Sequence, residues 1–174
     1  MRRFAVILAW LWGALAQAPQ LYAVEGSVTY VGRMPLGSWQ GTNPTARGQV
    51  RWAEPEASGR VCVDMSKFDS GIGLRDNDAR GVLEVAKYPQ SCLDVSALRR
   101  EGERAVLEGV LEIHGVRKFM RIEGTLRLEG DAYRFAGGFR TRFTEWNLKP
   151  PTVLFLTVED GLEVRLEARA LPVR

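Results

Sequence analysis

The sequence predicts an all-β protein with one short helix, built as an antiparallel barrel of about eight strands, and three observations predict it. Leu162 to Ala170 alternates strictly between apolar and non-apolar residues, the pattern of a strand with one wet face. Short Gly-centred connections, His114-Gly115-Val116, Glu129-Gly130-Asp131 and Glu159-Asp160-Gly161, fit consecutive antiparallel strands joined as hairpins. Only one internal segment carries helical spacing. A chain of 174 residues with 45% hydrophobic and 26% charged residues makes one globular domain. Alternation alone allows either a closed barrel or a sandwich. Small inward candidates (Gly109, Gly124, Ala136, Gly137) incline the reading to a barrel whose interior is not completely filled.

From the N-terminus, Arg2 and Arg3 followed by the uncharged run Phe4 to Ala16 form a signal-peptide pattern, with cleavage expected before Gln17. The thirteen residues of that run fall short of the roughly 20 that span a bilayer. Residues 1–16 are therefore expected to be a leader and residues 17–174 the exported domain, periplasmic or secreted, with no integral membrane segment after signal removal. The net charge of +3 comes from 24 basic and 21 acidic residues; without Arg2 and Arg3 the balance is 22 against 21. That near-neutrality leaves no polyanion-binding character, so no nucleic-acid partner is expected.

Strand patterns follow at Leu21–Val31, Gly48–Glu54, Arg60–Met65, Ser91–Leu98, Ala105–Ile113, Phe119–Glu129 and Tyr133–Thr144, with a last pair beginning at Val153 and continuing in Leu162–Ala170. Gly32 to Gly48 reads as a long turn-rich connection, a lid or a rim. In the helix-like segment Asp76 or Asp78 is placed to cap, Ala79, Val82, Leu83 and Ala86 recur at helical spacing, and Pro89 closes it. Arg75 either supports that cap, the preferred reading, or reaches a ligand head group.

His114 is the only histidine, which limits any Ser-His-Asp or Cys-His site to one residue and excludes His-rich metal sites. Its place in a turn points to a structural or solvated role. Glu108 and Glu112 alternate with apolar positions and belong on an outer face. The expectation is therefore no catalytic residue, no metal and no enzyme. Met120, Ile122, Leu126 and Leu128 share one face of their strand and are candidates to line the interior, as are Phe135 and Phe139, which flank Gly137-Gly138, where paired glycines allow a bulge or a close approach.

The run Gly109-Val110-Leu111-Glu112-Ile113-His114-Gly115-Val116-Arg117-Lys118 resembles the strand-turn-strand signature of the YceI-like family. Met65 to Gly71 with Leu74-Arg75-Asp76, then Lys87-Tyr88-Pro89, then Phe139 to Pro151 resemble its further motifs in order, covering roughly Val28 to Val164. The Ser27 to Tyr30 strand departs from the pattern by lacking a His-Ser opening. The resemblance implies a lipocalin-like antiparallel barrel, exported, with a tunnel holding a long-chain amphiphile of the polyisoprenoid, isoprenoid quinone or fatty amide type, and no cofactor besides that lipid. Val61, Val63, Leu107, Leu111, Ile113, Met120, Ile122, Phe135 and Phe139 are the expected tunnel lining. Val61 and Val63 point one way on either side of Cys62, and the family register puts Leu93 inward beside Cys92, so both cysteines are expected to face outward and pair as a disulfide if their strands are neighbours. The alternative is a structural or protein-interaction barrel with a filled core. Oligomeric state is left open.

Overall fold

A computed structural model describes residues 18–153 and 156–174, with the side chain of Val153 excepted. The expected leader and its cleavage site lie outside the described residues. Eight strands close into an antiparallel barrel: β1 (Gln20–Met34), β2 (Gly37–Ala53), β3 (Glu56–Asp64), β4 (Gln90–Glu101), β5 (Arg104–Ile113), β6 (Val116–Glu129), β7 (Ala132–Arg142) and β10 (Gly161–Pro172). Each pairs with its sequence neighbours, and β10 closes the ring against β1 with Tyr22 opposite Pro172 and Gly32 opposite Leu162. Closure removes the free edges that an open sheet would expose.

The meander from Ala105 onward follows the expected strands, but two segments differ. Gly32 to Gly48 is not a long connection, although Met34 and Trp39 within it do form part of the rim. It is the end of β1 and most of β2, joined by a tight turn at Pro35-Leu36. Inward positions here carry Gly41, Asn43 and Ala46 rather than large apolar residues, so the alternation is invisible in hydrophobicity. Aromatic rings lie over glycines across the strand pair. Gly32 faces Trp39 and Gly41 faces Tyr30, and a Cβ on either glycine would run into the opposing ring. A bulge opposite Ser27 accommodates Pro44, whose missing N–H would break a regular ladder. Asn43 fills the gap fully buried, donating from Nδ2 to the Asp64 carbonyl (2.7 Å) and accepting at Oδ1 from the Thr45 N–H and hydroxyl.

The second difference is at Val153. No barrel strand begins there; Thr152–Val153 (β8) and Leu156–Thr157 (β9) form a small separate hairpin.

The segment between β3 and β4 holds a 3-10 turn, η1 (Met65–Lys67), and the helix α1 (Gly73–Val82). The helix starts earlier than expected, with Ile72 at the N-cap and no side-chain cap, so neither Asp76 nor Asp78 caps it. Asp76 is in the first turn, where its charge suits the helix dipole, and its carboxylate accepts from Ser70 instead. Ala86 lies beyond the helix, in the turn that follows. A second 3-10 turn, η2 (Phe143–Trp146), follows β7. Among the described residues no helix is long and apolar enough to cross a membrane.

Up-and-down connectivity gives the barrel two unlike ends. One carries the β2–β3, β4–β5 and β6–β7 turns; the other carries η1, α1, the β1–β2 and β5–β6 turns, η2 and the β8–β9 hairpin. Outside, Glu108 pairs with Arg99 and Arg121, and Arg117 bridges Asp94 and Glu112, so Glu108 and Glu112 lie on the outer face as expected, with Glu108 largely covered. Such exposed pairs contribute little each.

A candidate lipid-binding cavity

Alternation places one face of every strand inside the barrel, and the inward side chains do not fill it. They enclose a cavity of about 630 Å³, within the size range of small-molecule sites. On β10 the alternate residues Leu162, Val164, Leu166, Ala168 and Ala170 all line it, so it extends for about 26 Å of strand at roughly 3.3 Å per residue. That shape suits a chain rather than a disc.

Its floor is aromatic. Trp52, Tyr22 and Tyr133 pack edge to face, with Trp52 and Tyr133 centroids 5.0 Å apart, and the Trp52 indole donates to the Leu98 carbonyl at 3.0 Å. Arg100 stands over the Trp52 and Tyr133 rings from outside, 5.8 Å from each centroid. The other end reaches the surface beside α1, where Leu74 lines the cavity while 80% exposed. Met34, Trp39, Ala79, Val82, Trp146 and Pro151 frame this mouth.

Val61, Val63, Leu107, Leu111, Ile113, Ile122, Phe135 and Phe139 all line the cavity, as does Leu126. Met120 does not; it is partly buried against the Phe143-Trp146-Leu148-Val158 cluster. Leu128 is 59% exposed, since it lies next to the β6–β7 turn where the strand has run past the packed interior. Gly137 and Gly138 produce no bulge in β7; Gly137 instead makes room for the Phe135 ring. Cys62 and Cys92 are bonded to each other across directly paired positions of β3 and β4.

Arg75 lines the mouth, half-buried, with its guanidinium 5.9 Å from the centre of the Trp39 ring. It does not serve the helix cap. Beside it Tyr30 also lines the cavity, and burial pushes its phenol above the ordinary tyrosine value. Trp146, fully buried, is fixed by a relay that the sequence did not single out: its indole donates to the Thr141 hydroxyl (2.8 Å), which donates to Glu145 (2.7 Å).

Carboxylates held by Ser or Thr hydroxyls are concentrated at the mouth. Asp64 is held by Ser66, Asp76 by Ser70, Glu145 by Thr141 and Asp160 by Thr144, and in each case that side-chain hydrogen bond is the main cause holding the carboxyl below its ordinary value. A depressed carboxyl stabilises the fold fully above the unfolded-chain value, about 3.9 for Asp, and that contribution is lost as pH falls through the lower folded value. Acidification below about pH 4 is therefore expected to loosen the mouth before the aromatic floor. Amide exchange of residues 64–76, compared with the β4–β5 strands, reads this, and Asp76→Asn should remove part of the pH dependence; uniform loss across the barrel would contradict it.

A family model described as the YceI-like domain matches residues 20–170, the whole barrel from β1 to nearly the end of β10. The chain belongs to the YceI-like domain family. Protein YceI of Salmonella arizonae is 30% identical over 73 residues, 41% of this chain, and the match spans only 38% of that relative's length. Among solved structures, BcnA of Burkholderia cenocepacia superposes with a TM-score of 0.73 at 18% identity, covering 83% of this chain and 95% of that one. A polyisoprenoid binding domain from Saccharophagus degradans, implicated in plant cell wall breakdown, gives 0.68 at 12% identity over 90% of this chain and all of that one. At these identities the structural likeness establishes the YceI-like fold.

Proposed function

We propose that this YceI-like protein is exported, after removal of residues 1–16, and holds one long-chain amphiphile in its barrel for transport, storage or sequestration. The observation that carries the reading is the unfilled interior: a cavity of about 630 Å³ lined by alternate apolar residues from aromatic floor to open mouth. Burying a chain there removes apolar surface from water at about 25 cal/mol per Å², before ordering costs, and requires no chemistry. A filled-core interaction barrel would lack that space. Val61, Val63, Leu107, Leu111, Ile113, Ile122, Phe135 and Phe139 serve as the wall against the chain, and Met120 packs beside them against both buried clusters. Arg75, at the mouth and over Trp39, takes the polar head.

The function is binding rather than catalysis; His114, the one histidine, is not among the cavity-lining residues. The polyisoprenoid-binding relative from Saccharophagus supports a polyisoprenoid, isoprenoid quinone or related amphiphile as the ligand class. The disulfide fits an oxidising compartment. The test is organic extraction of protein recovered from the exported fraction, followed by mass spectrometry of the extract. A single class of long-chain lipid near one per protein is expected. An extract without lipid, from protein that also takes up no added polyprenol, would overturn the reading.

A further inference from the structure

His114 stands where three segments of the mouth meet. It occupies the turn between β5 and β6 with φ of +51°, a left-handed conformation uncommon for a residue other than glycine. Its ring packs on Tyr88, centroids 4.4 Å apart, and its side chain is only 10% exposed. Nδ1 lies 3.2 Å from the carbonyl oxygen of Trp146 in η2. Nε2 contacts Oε2 of Glu84, in the turn that leaves α1.

Both facing atoms are oxygen acceptors when Glu84 is ionised. A neutral imidazole has one N–H and satisfies one of them, while its other nitrogen turns a lone pair toward the second oxygen. The doubly protonated ring donates to both. The neighbouring charges stand one layer out: Lys87 lies over the Tyr88 ring at 5.0 Å, and Lys118 over the Trp146 ring at 5.1 Å, where it also faces Glu145. Glu84 is the carboxylate bonded to the ring.

The two segments joined by these bonds border the cavity. Val82 and Leu83, immediately before Glu84, line one side of the mouth, and Phe143, Trp146 and Leu148 line another. We propose that His114 is a proton-operated latch on the cavity mouth: doubly protonated, it ties the end of α1 to η2 and slows ligand exchange, and on losing a proton it releases one tie and lets the mouth open. The exchange readout rests on the lipid-binding reading; the ring chemistry does not.

The latch is closed while the ring carries both protons and released when it carries one. The test uses 8-anilinonaphthalene-1-sulfonate, an amphiphile whose sulfonate stays ionised throughout. Its release from the full barrel is timed by stopped flow from pH 5 to 8.5, alongside ring-nitrogen NMR of His114. The expected result is both ring nitrogens protonated at pH 5, loss of one proton as pH rises, and release faster by about tenfold, the scale of one charge-assisted hydrogen bond.

His114→Asn tolerates the left-handed turn and should release fast at every pH. Glu84→Gln, which leaves His114 in place, should flatten the profile as well. A single neutral tautomer throughout, or an unchanged pH profile in either variant, overturns the latch. Failure of the probe to bind at any pH counts against the lipid reading instead, and the latch then stands or falls on whether ring protonation slows amide exchange at Val82, Leu83 and Trp146.

Discussion

Leu111→Trp is expected to empty the barrel of lipid while leaving it folded. Leu111 sits on β5 opposite Leu93 of β4 and Lys118 of β6, points into the cavity, and touches the Phe143-Trp146-Leu148-Val158 cluster under the mouth. An indole there extends into space the protein leaves open, so the usual overpacking cost of about 1–3 kcal/mol is an upper bound. A chain entering from the α1 end has to pass this level to reach Phe135 and the Trp52 floor. The expected result is at least a tenfold fall in lipid recovered per protein, with far-UV circular dichroism and the unfolding midpoint nearly unchanged. Phe119→Trp is the matched control, because Phe119 faces outward and is 64% exposed. Full lipid retention in Leu111→Trp, or equal loss in both variants, would place the ligand elsewhere.

The barrel was legible wherever inward positions carry large apolar residues and outward ones carry charge, as in β10 and in the β5–β6 hairpin around His114-Gly115. The same rule located most of the cavity wall, since a residue between two outward-facing charges has one direction left. It failed at Leu128 because period two gives the face of a strand and not how far along it the interior extends. The first half of β2 was hidden for the opposite reason: Tyr30 of β1 lies over Gly41, and the next inward residues, Asn43 and Ala46, are polar or small, so apart from Trp39 no large apolar residue marks the inner face there.

The mouth was least legible. Asp76 is a cap-type residue and the helix is real, yet the helix begins three residues before it and its carboxylate is drawn to Ser70, where it meets both an N–H (2.9 Å) and a hydroxyl (2.6 Å). Caps are chosen by local competition among such donors, which sequence spacing does not rank. His114 is a turn residue, as its place before Gly115 predicts. That both its nitrogens would meet acceptors from segments 30 and 32 residues away is a property of the closed barrel and has no local signature.

Removing the disulfide with Cys62→Ser/Cys92→Ser is expected to lower stability by about 3.5 kcal/mol, from the chain-entropy relation for a loop of this length. For a barrel of this size that is roughly a 10 °C fall in Tm. The two residues are 30 apart in sequence, yet they face each other directly in the β3–β4 ladder with Cα atoms 4.1 Å apart. Val61, Val63, Ser91 and Leu93 line the cavity, so both sulfurs lie on the outer side of the wall, and the bond leaves the interior free. What it encloses is η1, α1 and the turn to Pro89, the segment that frames the mouth. In the unfolded chain the bond restricts where that segment can go, which is the main source of its effect. In the native barrel the flanking ladder already fixes both ends, so the cavity walls should not move. Unreduced, denatured protein should therefore show no free thiol, and the double variant should bind lipid normally at 25 °C while unfolding earlier. Two titratable thiols per chain would rule out the bond, and an unchanged Tm would mean that the strand pairing of β3 with β4 persists in the unfolded chain and makes the cross-link redundant.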